Sequence, residues 1–285
     1  MIGFVILNYL NWQDTIECIQ SFKLQKNADF QVVVIDNGSN NTSAEKIREA
    51  INDDNQFKLI VNKENLGYAK GNNVGINFLR ETYGINKIML LNNDTILTDE
   101  YYINKLQNIK YGKKVGAIGT TIIGSDGLNQ NPVYFIIDFV STLKLVVVNI
   151  LAFSKIFTLI KKKYFQKMAD SFNNPKNIGK PYYLHGSAIL LTENYLSTFG
   201  LLFDETFLYY EENILAIIFE KADLEMLYVP TLELYHKEDK SSALSFNNKD
   251  LIRRKFLLQS IFSSFKLRFS TLEQLKKILN RKELI

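Results

Sequence analysis

Cysteine is almost missing from this 285-residue chain: Cys18 stands alone, so no disulfide can form within it and a reducing compartment is expected. An excess of one charge is missing too. With 34 basic and 30 acidic side chains the formal net charge is +4, too mild to argue for nucleic acid as a partner. Histidine is scarce, with two in the whole chain. The most apolar stretch, VYFIIDFVSTLKLVVVNILAFSKIFTLIKKKYF (133–165), is broken by Asp138, Lys144 and Lys155. Between those two lysines only ten residues are free of charge, against roughly 20 needed to cross a bilayer, so a spanning helix is not expected. Met1 runs straight into the strand-like IGFVIL with no basic leader, and the expected location is cytoplasmic.

What is present is an alternation. IGFVIL (2–7), QVVVID (31–36), FKLIV (57–61), KIMLL (87–91) and VGAIG (115–119) are short apolar runs that read as strands. Between them, Thr15 to Leu24, Ser43 to Ile51, Ala69 to Leu79 and Glu100 to Ile109 place apolar residues at helical spacing. This pattern predicts an α/β domain with a mainly parallel sheet flanked by helices, and in such sheets ligands sit at the carboxyl ends of the strands.

The loops at those ends are crowded with amides and carboxylates. The first strand runs into NYLNW (8–12), the second into DNGSNN (36–41), the third into NKENLGYAKGNN (62–73) and the fourth into NNDT (92–95). Each has an ordinary explanation: Asp36-Asn37-Gly38-Ser39 is a good turn and helix cap, Gly67 and Gly71 suit a helix start, and Asp94 suits an Asx-turn. Four such loops on one sheet edge argue for a site.

In chain order, VILNYLNWQDTIECIQS, VVVIDNGSNN, NLGYAKGNNVGI, LLNNDTIL, HGSAILLT, FDETFLYYEEN and LYVPTLELYH resemble the family 2 glycosyltransferases of GT-A fold. The resemblance covers roughly residues 2–240 and points to the branch with rhamnosyltransferase-like and capsular polysaccharide enzymes. It implies an inverting enzyme that moves a sugar from UDP or dTDP to a hydroxyl of a surface glycan, with Mn²⁺ or Mg²⁺ as cofactor. Asp36 would hold the nucleotide base with Asn8 beside it, and Asn37, Gly67, Asn72, Asn92 and Asn93 would line the donor site. Asp94 matches the last carboxylate of the family's DxD motif, whose first acidic position is here Asn92. His236 matches a downstream histidine near the metal, while His185 and Gly186 open the acceptor-side loop. Glu212 takes the place of the catalytic base, with Glu211 as its understudy. Where many members have Asp, this chain has Glu212 and Ile214.

Two segments lie beyond that core. Residues of about 133–178 read as an apolar helical insertion ending in Lys161-Lys162-Lys163, either lying on a surface or packed on the domain's own core. From residue 250 onward nine basic and three acidic residues accompany helical apolar spacing, which suits anionic lipid or a subunit interface. The division expected is therefore a catalytic domain over 1–240 and a basic helical tail over 241–285. A polyprenyl-linked acceptor would place the protein on the inner face of the plasma membrane, and a homodimer through the C-terminal helices is the other use of the tail. A sugar nucleotidyltransferase should carry a Gly-rich basic phosphate loop after its first strand, where this chain has NYLNW. A non-catalytic binding or assembly protein that kept the fold is the remaining alternative, supported by Asn92 and Ile214.

Overall fold

In the first strand, β1 (Ile2–Asn8), Phe4 and Ile6 fall on one face and Val5 on the other, and all three are fully buried. A strand buried on both sides needs layers above and below it, and the computed structural model supplies them. It describes residues 1–134, 138–151, 183–238 and 249–280. Among these, β1 lies in an eight-stranded sheet with β2 (Phe30–Asp36), β3 (Phe57–Val61), β4 (Ile88–Asn92), β5 (Thr95–Ile96), β6 (Val115–Ile123), β7 (Ala188–Leu191) and β8 (Glu225–His236). The order is β3-β2-β1-β4-β7-β6-β8-β5. The four strands from β3 to β4 run parallel, as expected. The rest is mixed: β7 is antiparallel to both β4 and β6, and β5 is antiparallel to β8, which itself runs parallel to β6.

Helices α1 (Trp12–Lys23), α2 (Ser43–Ile51) and α4 (Tyr102–Gln107) cover one face. There Phe4, Phe22, Phe30 and Phe57 form an aromatic cluster of three edge-on pairs and one tilted pair with ring centres 4.9 to 6.4 Å apart, the edge-on geometry being worth about 0.5–1.5 kcal/mol per pair beyond simple burial. The other face carries α3 (Tyr68–Tyr83), α6 (Glu193–Phe199) and α7 (Glu211–Ala222), counted after α5 (Phe139–Leu151).

Of the insertion expected near 133–178, α5 is its helical part among the described residues; Lys161 to Lys163 lie outside them. Leu145 and Val146 of α5 are buried in the core, whereas Phe139, Val140, Leu143, Val147 and Ile150 are exposed. The tail forms α8 (Lys249–Phe269) and α9 (Leu272–Leu279), and its Ile261, Leu267, Leu275 and Leu279 are buried in the same core cluster as the sheet. A capping box at Thr271 starts α9. No helix among the described residues is long and apolar enough to cross a membrane.

Candidate functional site

Strand register sets the site. β1 pairs with β2 so that Asn8 lies opposite Asp36, and with β4 so that Leu7 lies opposite Asn92. The three strands therefore deliver their terminal polar residues to one rim. Asn8 is fully buried; its Nδ2 donates to Asp36 Oδ1 at 2.8 Å while its Oδ1 accepts from Thr15 Oγ1 at 2.8 Å. Ser39 Oγ also donates to Asp36 Oδ1, at 2.5 Å. The second carboxylate oxygen, Asp36 Oδ2, is sealed from solvent and has no partner within the protein. A buried acceptor left open in this way costs about 1–3 kcal/mol unless a ligand donor meets it.

The loop after β3 is held by Asn37. Its Nδ2 donates to Asn65 Oδ1 and to the Gly67 carbonyl at 3.0 and 3.1 Å, and its Oδ1 accepts from Asn62 Nδ2 and the Leu66 N–H at 3.0 and 3.1 Å. The whole amide is thus committed to the loop. Gly67 has φ 81°, and a Cβ there would lie 2.3 Å from the Phe207 carbonyl oxygen, so only glycine lets the two loops meet. Asn72 donates to the Tyr68 carbonyl at 3.0 Å, and its own Oδ1 is sealed and open.

The strand end in NNDT turns sharply into β5, whose Thr95 pairs with His236. That pairing brings Asp94 Oδ1 to 3.2 Å from His236 Nε2, with both side chains nearly buried. Asn93 turns the other way, its Nδ2 reaching the Asn11 carbonyl, Thr15 Oγ1 and Asn8 Oδ1 at 2.9, 3.0 and 3.5 Å. Asp36 is therefore linked through Asn8 to Asn93, the chain neighbour of Asp94. Two donors 3.2 Å apart match neighbouring ligands on one ion with bonds of about 2.1–2.2 Å, so Asp94 and His236 fit a divalent cation. Among the described residues no group of three or more His, Cys, Asp or Glu side chains surrounds such a position, so the protein offers two donors.

Beyond the Asp94–His236 pair, the Asn92 N–H donates to the Ser187 carbonyl at 2.9 Å, which draws the loop before β7 onto the rim. His185 packs edge-on against His236 with ring centres 5.8 Å apart, and its Nδ1 accepts from the Ser187 N–H at 3.2 Å. Burial pushes the His185 imidazole below its ordinary range, partly opposed by the Glu212 charge. The Gly186 N–H donates to Glu212 Oε1 at 3.2 Å, and its carbonyl accepts from Tyr68 OH at 2.8 Å. Glu211 and Glu212 open α7 after Tyr209 and Tyr210, both with positive φ (70° and 78°), a strained entry that turns the carboxylates inward. Glu211 Oε1 is sealed and unpartnered beside an apolar pocket lined by Leu90, Ile189, Tyr195, Ile214 and Ile218. Burial, and then the Glu212 charge, push its acid up to about 8.

Three residues that the sequence reading passed over belong here. Gln130 Oε1 meets His236 Nδ1 at 2.9 Å, Asn131 Oδ1 accepts from the His185 N–H at 3.1 Å, and Lys237 ties to Asp14 at 3.0 Å and to Glu17. The amide run Asn129-Gln130-Asn131 behind the turn Gly124-Ser125-Asp126-Gly127 was the signal available for two of them.

A model of Glycosyl transferase family 2 matches residues 4–169, more than half of the chain. A teichoic acid poly(glycerol phosphate) polymerase of Staphylococcus epidermidis is 29% identical over 109 residues, 36% of this chain and 15% of that protein. A poly-beta-1,6-N-acetyl-D-glucosamine synthase of Staphylococcus aureus is 29% identical over 106 residues, 37% of this chain and 24% of that protein. The chain thus spans less than a quarter of the length of either curated relative. A mannosyltransferase of Pyrobaculum calidifontis, solved with GDP-Man and Mn²⁺, superposes with a TM-score of 0.57 over 98% of this chain and 67% of that one at 13% identity, which shows a shared fold.

Proposed function

The chain belongs to glycosyl transferase family 2, and on that footing we propose that it is an inverting transferase that moves a hexose or deoxyhexose from a UDP- or dTDP-sugar to a glycan hydroxyl. The observation that carries the reading is the meeting of Asp94 and His236 on the same rim as the buried, unpartnered oxygen of Asp36. Uracil and thymine each carry one imide N–H, the donor that Asp36 Oδ2 lacks. The diphosphate would extend from there toward Asp94 and His236, which would hold Mn²⁺ or Mg²⁺. When bound, the cation supplies Lewis-acid stabilisation of the charge on the leaving diphosphate.

Glu212 takes the proton from the acceptor hydroxyl as it attacks opposite the diphosphate. The Gly186 N–H anchors one oxygen of that carboxylate and so fixes its aim. Glu211 keeps its proton up to about pH 8 and is a poor base at neutral pH, which leaves the role to Glu212.

The relatives' names support a glycan of the bacterial surface as the product class. Phe139, Val140 and Val147 on α5 are exposed, as are Phe262 and Phe269 on α8, which lies in the basic segment from residue 250 onward. This combination suits the inner face of the plasma membrane, where a polyprenyl-linked acceptor would be presented, or a second copy of the chain.

Release of nucleotide from a panel of UDP- and dTDP-sugars tests the donor. Glu212→Gln should retain donor affinity within about threefold and lose transfer by about 10²–10⁴-fold; full transfer by that variant sinks the base assignment. The second reading, a donor-binding protein without transfer, draws on Asn92, on Ile214 and on the lack of a third metal-binding side chain among the described residues. Donor hydrolysis that disappears in Asp94→Ala would exclude it.

A further inference from the structure

We propose that Gln130 is a positioning residue that fixes the tautomer of His236 and so keeps the Asp94–His236 pair open for a cation, an inference that rests on the metal reading above. Gln130 sits in the hairpin that follows β6: its N–H donates to the Ile122 carbonyl at 2.8 Å, and the Gly124 N–H donates to the Leu128 carbonyl at 2.9 Å. Its side chain bridges Glu238 and His236.

An ionised carboxylate only accepts hydrogen bonds, so the NH₂ end of the amide must face Glu238. The carbonyl end is then turned to His236 Nδ1 at 2.9 Å, and a carbonyl also only accepts. The ring proton is therefore held on Nδ1. A neutral ring in that tautomer presents the lone pair of Nε2 to Asp94 Oδ1, 3.2 Å away. In that tautomer two acceptors face each other, and a second ring proton or a cation placed between them satisfies both.

Remove the amide and the ring is free to carry its proton on Nε2, where it donates to Asp94. The pair is then satisfied by itself and competes with the metal. Residue 124 makes room for the bridge: a Cβ on Gly124 would meet Gln130 Nε2 at 2.6 Å and Glu238 Oε1 at 2.8 Å.

Two histidines in the chain leave two rings to follow by long-range ¹H–¹⁵N spectra of histidine-labelled, metal-free protein. Wild type should show His236 protonated at Nδ1. Gln130→Met should shift it toward the Nε2–H form and weaken Mn²⁺ binding, read by electron paramagnetic resonance titration, by about 10–100-fold. The exchange Gln130→Glu with Glu238→Gln keeps an acceptor at Nδ1 and a donor behind it. Both readouts should therefore return to near wild type, a recovery that a merely folding-related defect would not give.

A Gln130→Met protein that stays folded with His236 still protonated at Nδ1, or that changes tautomer with unaltered Mn²⁺ affinity, overturns the inference. Mn²⁺ binding that survives Asp94→Ala overturns the metal reading instead, while the metal-free spectra still decide the tautomer.

Discussion

Replacing Glu211 by Gln should stabilise the protein at pH 8.5 relative to pH 5, measured against wild type at each pH. Glu211 has one carboxylate oxygen sealed and unpartnered beside the walls of Tyr195, Ile214 and Ile218, and Glu212 adds a like charge next to it. Together, burial first, they raise the acid from an ordinary 4.5 to about 8. In the unfolded chain the group loses its proton near 4.5, whereas the folded protein keeps it until about 8. Through that window the folded state binds more protons, so stability is complete below 4.5 and is lost as pH rises. At about 1.4 kcal/mol per tenfold change in proton affinity, a fully sealed group would forfeit roughly 5 kcal/mol across the window. The residue as a whole is only half-buried, and solvent reaching it brings the expected loss down to about 1–3 kcal/mol. Gln is close in shape and does not titrate, so its own packing cost is constant with pH. Urea melts at pH 5, 6.5 and 8.5 should show the variant gaining about 1–3 kcal/mol on wild type between the extremes. A difference constant to within about 0.5 kcal/mol would show that Glu211 titrates normally, and with it the argument that leaves the base role to Glu212 would fall.

Gly67→Ala should lose about 2–3 kcal/mol in a urea melt, since it combines positive φ with a Cβ pressed on the Phe207 carbonyl; a loss under about 1 kcal/mol would mean that the two loops separate freely. Cys18 is buried and its thiol is pushed up to about 12 by that burial. Iodoacetamide at pH 8.5 should alkylate it roughly a thousandfold more slowly in the native protein than in concentrated urea, and comparable rates would show that α1 opens readily.

Much of the parallel half was legible because β1, β2 and β4 are buried on both faces and the helices on one, so hydrophobic period finds them. Helix Ser43–Ile51 and strand Phe57–Val61 fall where the spacing puts them, to the residue. The antiparallel half was harder to read. β5 is two residues long and exists because it pairs with the end of β8, where Thr95 meets His236, 141 positions away, a pairing that no local pattern carries. Gln130 and Lys237 were missed for the same reason. Their roles lie in partners 106 and 223 positions away along the chain, His236 and Asp14. α5 carries both of the faces that its sequence left open, a core stripe at Leu145 and Val146 and an exposed one at Val140 and Val147.

The end of β4 shows how one short segment meets two demands. Asn93 Nδ2 faces three acceptors, the Asn11 carbonyl, Thr15 Oγ1 and Asn8 Oδ1. Only a donor suits that position, because a carboxylate would set a buried negative charge against lone pairs on every side. One residue later the requirement reverses: Asp94 Oδ1 lies 3.2 Å from His236 Nε2, and on the proposed reading a negative oxygen there shares a cation with the ring. An amide followed by a carboxylate is thus what the geometry asks for at Asn93 and Asp94. The strand can end in such polar residues because the turn into β5 points the first toward Asn8 and Thr15 and the second toward His236.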